Sequence, residues 1–306
     1  MRVGTYDIHK IADSTPELPE QLGTKEKFWL HIDNEPHLFK IGRPGTGENW
    51  AEKVVAELCT LLGLPSASYK LAIWKGKHGV LSPSIVPPDG RLVHGNELLA
   101  GIHTDYPANK VRHNREHTMG RIHALLKHSA ILPPLDWQSP DESIKTAFDV
   151  FIGYLMLDTW IANQDRHHEN WGLIAHQNHI FLAPTYDHAA SMGQNETDAV
   201  REERLNTSDK RRTLSYYIAR AQSAIYKGKK DKKPLKTIDA FYLAAAKNPL
   251  AAKIWLECLR NVTLQDCEQI FSCFPEDYIS PLGVEFALQL LRLNRKRLLE
   301  LKVTDL

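Results

Sequence analysis

Residues 143–162 constrain this chain more than any other stretch. Apolar side chains recur at 144, 147, 148, 151, 154, 155 and 161, a helical period, and Ser143 stands where an N-cap would. The pattern then gives way to a polar block, Asn163-Gln164-Asp165-Arg166-His167-His168-Glu169-Asn170. Just beyond it, residues 171–175 and 179–182 read as a short hairpin around Gln177-Asn178. A polar block between a long buried helix and a hairpin is a loop held at both ends. Such a loop is a good mount for reacting groups.

The chain before this point reads differently. Residues 1–27 are polar, broken by Pro16, Pro19 and Gly23, and fit a loop or weak strand. Residues 28–32 and 37–41 are β-prone runs separated by the turn composition Asp33-Asn34-Glu35-Pro36, which predicts a hairpin. A loop over 43–47 leads into apolar positions 51, 54, 55, 58, 61 and 62, a helix over 48–62 that Gly63 ends. Residues 69–74 and 79–81 predict two more strands joined by Gly76-Lys77-His78. After residue 100 the signal is mainly helical, with amphipathic stretches at 238–246, 251–259 and 284–301. The expectation is an α+β, bilobal chain: a strand-rich lobe over 1–100 and a larger helical lobe over 101–306. A cleft between two such lobes suits a nucleotide-sized ligand.

Composition excludes several classes. With 42% hydrophobic and 25% charged residues in 306, the chain is neither disordered nor fibrous. Its longest apolar runs, such as 151–157, are far short of a membrane span, and residues 1–7 carry no apolar segment of a secretory signal. The cysteines, Cys59, Cys258, Cys267 and Cys273, form no C-x-x-C pair and read as reduced thiols of a cytoplasmic protein. Net charge is +1, but residues 201–236 hold twelve Lys/Arg against four Asp/Glu. That basic stretch is either a solvated face or a docking surface for an acidic partner.

Asp165 and Asn170 are five apart, the spacing of the Asp and Asn in the catalytic loop of protein kinases. Asp187 follows on the far side of the predicted hairpin. Phosphoryl transfer requires oxygen ligands for Mg²⁺, a cation on the phosphates and an acceptor for the attacking hydroxyl's proton. The Asp187 carboxylate and the Asn170 amide oxygen are hard donors of the kind Mg²⁺ takes, and Asp165 can accept the proton. Lys40 ends a β-run and could reach phosphates. Glu52 is its expected helix partner, with Glu48 and Glu57 as alternatives. The blander readings are a capped turn at 165–170, an edge-strand lysine at 40 and a turn aspartate at 187.

The block 163–170 resembles the N-x-D-x-H-x-x-N motif of HipA-like serine/threonine kinases, and Pro184-Thr185-Tyr186-Asp187 resembles their P-x-Y-D segment. Leu38-Phe39-Lys40, Glu52, the run Leu61-Leu62-Gly63-Leu64-Pro65 with Ala67, and Leu290-Leu291-Arg292-Leu293-Asn294-Arg295 extend the resemblance over roughly 20–300. It implies a protein-kinase-like bilobal fold, ATP and Mg²⁺ as cofactors, and phosphorylation of a protein hydroxyl, including autophosphorylation. It further implies Asp165 as catalytic base, Asn170 and Asp187 as metal ligands, and Lys40 on phosphate. The nucleotide-side set is Lys40, Glu52, His167, and Gly23 and Thr24 of a phosphate-covering loop over 21–27. Thr24, Ser14 and Thr15 are candidate phosphorylated residues, and the adenine is expected near residues 80–86. The resemblance also raises a partner antitoxin.

Three rivals stand beside this reading. A lipid or small-molecule kinase shares the fold and the D-R-H-x-x-N loop, and a catalytically silent nucleotide-binding regulator keeps the fold alone. His113-Asn114-Arg115-Glu116-His117 matches the H-x-x-E-H zinc-peptidase pattern, which needs both histidines on one helix face; the plain alternative is a solvated helix. No lipid anchor and no nucleic-acid stacking module is present in the sequence.

Overall fold

The computed structural model describes residues 4–12, 18–19, 26–276 and 278–301. Its first sheet has six strands: β1 (Ile8–Lys10), β2 (Leu18–Pro19), β3 (Lys27–Ile32), β4 (Glu35–Ile41), β5 (Lys70–Trp74) and β6 (Lys77–Pro83). Their order is β1-β5-β6-β4-β3-β2, with only the β1–β5 pair parallel. Asp33-Asn34 and Lys75-Gly76 join their hairpins with positive φ at both central residues, 52° and 66° in one, 48° and 75° in the other. That two-residue geometry matches the twist of antiparallel strands. It therefore draws Glu35, Pro36, Lys77 and His78, expected in turns, into the ladders.

Helix α1 (Glu48–Leu62) crosses between this sheet and the rest of the chain, and Gly63 closes it at φ 68°, as its position predicts. Next come β7 (Arg91–His94), α2 (Gly95–Ile102), α3 (Met119–Leu126), β8 (Ile131–Leu132), α4 (Ala147–Trp160), β9 (Gly172–His176) and β10 (His179–Leu182). Strand β7 pairs with β9 in a second sheet, ordered β7-β9-β10-β8, rather than with the first. The chain thus changes sheets between Pro83 and Arg91. Helices α5 (Asp198–Asn206), α6 (Leu214–Ala219), α7 (Thr237–Ala245), α8 (Pro249–Asn261), α9 (Leu264–Ser272) and α10 (Pro281–Leu299) complete the helical part.

Helix α4 begins three residues later than expected. Thr146, not Ser143, caps it, because Asp149 three residues on returns the bond in a capping box; the Ser143 N–H instead goes to Asp141. All fourteen α4 residues are buried, so the helix has no polar face and runs through the core against α3, α7, α8 and α10. Gly153 makes that possible: a Cβ there would lie 2.7 Å from both Leu64 Cδ2 and Trp255 Cε2. Gly153→Ala is expected to cost about 1–3 kcal/mol by overpacking, read from urea denaturation.

Helix α1 is held from the helical side too. Trp50 stacks edge-on against Phe271 of α9 at 6.3 Å between ring centroids, and the Asn49 amide donates to the Tyr278 hydroxyl at 3.2 Å. Lys53 sits 4.3 Å above the Tyr6 ring, whose backbone N–H donates to the Cys273 carbonyl at 2.6 Å. Residues 113–117, the alternative zinc helix, form a bend and a turn instead. His113 has φ 54°, and helix begins only at Met119, behind the Thr118 cap.

Candidate active site

Strand β4 delivers Lys40 from the first sheet with its side chain buried, facing α1 and the segment after β10. Lys40 Nζ lies 3.1 Å from Glu52 Oε1 and 3.5 Å from Asp187 Oδ1. The alternative partners are taken elsewhere: Glu48 binds Arg43 and Glu57 binds Lys53. Glu52 also accepts the His188 N–H on Oε2 at 3.1 Å, so one carboxylate ties α1 to β4 and to the segment carrying Asp187. Burial would lower the Lys40 pKa, but Asp187 and Glu52 outweigh it and hold the pKa well above the ordinary lysine value. Lys40 is a fixed cation. Asp187 occupies a left-handed conformation, φ 59°, with its N–H donating to the Tyr69 hydroxyl at 3.3 Å.

Residues 163–170 close into a compact loop by their own bonds. The Asp165 N–H donates to Asn163 Oδ1 at 3.1 Å, and the Asn170 side-chain amide donates to the Asp165 carbonyl at 2.6 Å. That second bond commits the amide nitrogen and leaves the Asn170 Oδ1 oxygen as the acceptor end, suited to a cation. His167 lies beside Asp165: its Nε2 is 3.7 Å from Asp165 Oδ2, while its Nδ1 accepts the Glu169 N–H at 3.2 Å. A neutral His167 must then carry its proton on Nε2, facing the carboxylate.

Arg166 was not singled out from the sequence, yet it is the most heavily bonded side chain of the site. It is fully buried. Its Nε and Nη2 grip Asp158 at 2.8 and 2.7 Å, and Nη1 donates to the Asn170 carbonyl at 2.6 Å. Nη2 also reaches Thr185 Oγ1 at 3.0 Å and His188 Nε2 at 3.3 Å. Asn163 adds a bond to Asp158 Oδ1 at 2.8 Å. The signal that could have found this cluster was Asp158 itself, an acid inside an otherwise apolar helical run. Such an acid must have a buried partner.

A second layer of buried rings supports the loop. His168 Nδ1 pairs with the Tyr106 hydroxyl at 2.7 Å. His117 Nδ1 donates to the Ala224 carbonyl at 3.1 Å, and its Nε2 accepts the Trp171 N–H at 3.1 Å. Both His117 nitrogens are thus occupied, and no group of three metal-binding side chains occurs among the described residues, so the zinc reading falls. Burial depresses the ring pKa values to about 3 for His117 and about 4 for His168, from 6.5, and the repulsion a protonated ring would meet from its neighbouring imidazole adds to it. Unfolding frees these rings to bind protons that the folded state refuses. Their contribution is complete above pH 6.5 and is lost as pH falls toward 4. Each ring adds a slope of about 1.4 kcal/mol per pH unit in that window. Denaturation midpoints at pH 7.5 and 5 should therefore differ, and His117→Asn should flatten the dependence.

The basic stretch divides into two parts. Arg201 pairs with Asp198, Arg204 with Glu196, and Arg212 with Glu203. Lys229 bridges Asp105 and Glu116 at 2.7 and 2.8 Å. Lys227, Lys230, Lys232 and Lys233 are exposed and without an ion pair among the described residues. Backbone bonds close the base of this lysine loop, from Leu235 to the Ile225 carbonyl and from Tyr226 to the His117 carbonyl. It is therefore held against the layer beneath residues 165–170. Gly23, Thr24, Ser14 and Thr15 lie outside the described residues.

No family model and no curated protein matches the sequence. Solved structures do. The structure of the proinflammatory kinase CtkA from Helicobacter pylori matches with a TM-score of 0.69 at 20% identity, over 94% of this chain and 96% of that one. A chain of the Shewanella oneidensis HipA, HipB and operator DNA complex matches with a TM-score of 0.55 at 12% identity, over 94% of this chain and 68% of that one. This protein has the α+β fold of the HipA-like kinases.

Proposed function

We propose that this chain is an ATP- and Mg²⁺-dependent kinase that phosphorylates a serine or threonine hydroxyl of a protein and also phosphorylates itself. The observation that carries the reading is the line Asp187–Lys40–Glu52–His188, which joins the first sheet, α1 and the segment after β10 at one buried cation. Asp165 and Asn170 are fastened beside it through Arg166.

In this reading Lys40 holds the nucleotide phosphates, and its high pKa keeps it charged at any working pH. Asn170 Oδ1 and the Asp187 carboxylate would hold Mg²⁺. The donor set fits: one carboxylate and one amide oxygen whose nitrogen is already spent on the backbone. When bound, the ion neutralises charge on the phosphate oxygens. Asp165 accepts the acceptor hydroxyl's proton as that oxygen bonds to the γ-phosphorus, and the bond from phosphorus to the bridging oxygen breaks to leave ADP. His167 Nε2–H lies beside the Asp165 carboxylate at 3.7 Å, a nearby dipole rather than a hydrogen bond. The adenine would sit at residues 80–86, the end of β6 and the start of the segment that leads to β7.

The four cysteines are free, three of them buried, which suits the reducing cytoplasm we assign to it. None of the described helices is long and apolar enough to cross a membrane. HipA appears in its complex with HipB, and a protein partner of antitoxin type is proposed here too. The lysine loop over 227–233 is its docking surface, or that of an acidic substrate. Reversing Lys230, Lys232 and Lys233 to glutamate should weaken partner capture at least tenfold and leave turnover on a short peptide unchanged. Unchanged capture would leave the loop as solvated surface.

The test of the whole reading is incubation with labelled ATP, Mg²⁺ and cell lysate, for the parent chain, Asp165→Ala and Asp187→Ala. Label on protein that both substitutions abolish supports it. Label in the lipid extract alone would select a lipid kinase, and tight ATP binding without transfer a silent regulator.

A further inference from the structure

We infer that Arg166 sets the distance between the two oxygen ligands of the metal, and so acts as a positioning residue for metal affinity and metal choice. The inference rests on the kinase reading above.

One rigid, planar guanidinium reaches both ligand-bearing segments. On one side Nη1 holds the carbonyl of Asn170 itself, and on the other Nη2 holds Thr185 and His188, which bracket Asp187. Asp158 clamps the fork from behind with both oxygens, so the group cannot rotate. Thr185 is fixed a second time through its backbone: its N–H donates to the Pro65 carbonyl at 3.0 Å, and its carbonyl accepts the Ala67 N–H at 2.9 Å. Asn170 and Asp187 lie seventeen residues apart, in the loops that enter and leave hairpin β9–β10. The Arg166 side chain bonds to both. A lysine has the charge but not the fork, and it cannot make these contacts at once.

Mg²⁺ demands near-ideal octahedral geometry at short distances, whereas Mn²⁺ and Ca²⁺ tolerate longer and less regular ones. Loosening the spacing should therefore penalise Mg²⁺ more than the larger ions. A residue with a merely structural role would lower the melting temperature and leave that preference alone.

The experiment uses the full chain with a non-hydrolysable ATP analogue. Bound Mn²⁺ is counted by electron paramagnetic resonance, and Mg²⁺ is measured by its competition. Arg166→Lys and Thr185→Val are compared with the parent, Thr185→Val being the mild variant that keeps the volume and loses only the hydroxyl. The expected result is a Mg²⁺ midpoint raised at least tenfold in Arg166→Lys and about threefold in Thr185→Val. The Mn²⁺ midpoint should move less, and analogue binding without metal should stay within twofold. Folded variants with parent midpoints for both ions, or equal shifts for both, overturn the inference while the kinase reading stands. A parent chain that binds no metal with the analogue removes the kinase reading, and this inference with it.

Discussion

Asp158→Ala should cost about 3–5 kcal/mol of folding stability. The cost comes from what is left behind rather than from the bond removed. Arg166 is fully buried, and its charge is matched there by one carboxylate that takes two of its donors. Without Asp158 the guanidinium keeps three neutral partners, the Asn170 carbonyl, Thr185 and His188, and no counter-charge. His188 cannot help, since burial first and then Arg166 itself push its pKa well below the ordinary value. Urea denaturation of Asp158→Ala against Asp158→Asn separates the lost charge from the lost hydrogen bonds. If Asp158→Ala loses less than 1 kcal/mol, the cluster is not the internal brace described here.

Asp165→Ala should leave the fold intact and lower kcat by roughly 10²–10⁴, the usual worth of a positioned general base. The side chain is part-exposed and its neighbours in the loop bond mainly to its backbone, whose N–H meets Asn163 and whose carbonyl meets the Asn170 amide. Removing the carboxylate thus spares the loop. The KM for ATP should stay within about threefold, because Lys40 and the Asn170–Asp187 pair are untouched. Asp187→Ala should do the reverse and abolish metal-dependent nucleotide binding. Steady-state kinetics with ATP varied at fixed acceptor, combined with binding of the non-hydrolysable analogue, distinguishes the two. Parent-like turnover in Asp165→Ala would remove it as the base.

Much of this architecture was legible from local pattern. Hairpin β3–β4, helix α1 with its terminating glycine, the apolar helix α4 and hairpin β9–β10 all carry short-range signals, and all were readable within a few residues. The loop 163–170 could be located because it interrupts two such signals. What stayed hidden depends on partners distant in sequence. Strand β7 is four residues long and finds its place only by pairing with β9, eighty residues on. Glu52 could be told from Glu48 and Glu57 only once Arg43 and Lys53 had claimed the other two. Arg166 has no local signature, because its meaning lies in three segments that meet around it, α4, the 163–170 loop and the segment after β10. The H-x-x-E-H match failed for a related reason: spacing signals a shared face only where the backbone is helical, and there it turns.

The grip on α1 has a bearing on control. Swinging α1, and Glu52 with it, out of register with Lys40 would break the site's buried ion pair. Here such a swing would expose Trp50 and Phe271 to water, break the Asn49–Tyr278 bond and strip Lys53 from the Tyr6 ring. In the kinase reading proposed above, restraint would then come from something that withholds the nucleotide or the acceptor, not from bending α1 away from Lys40.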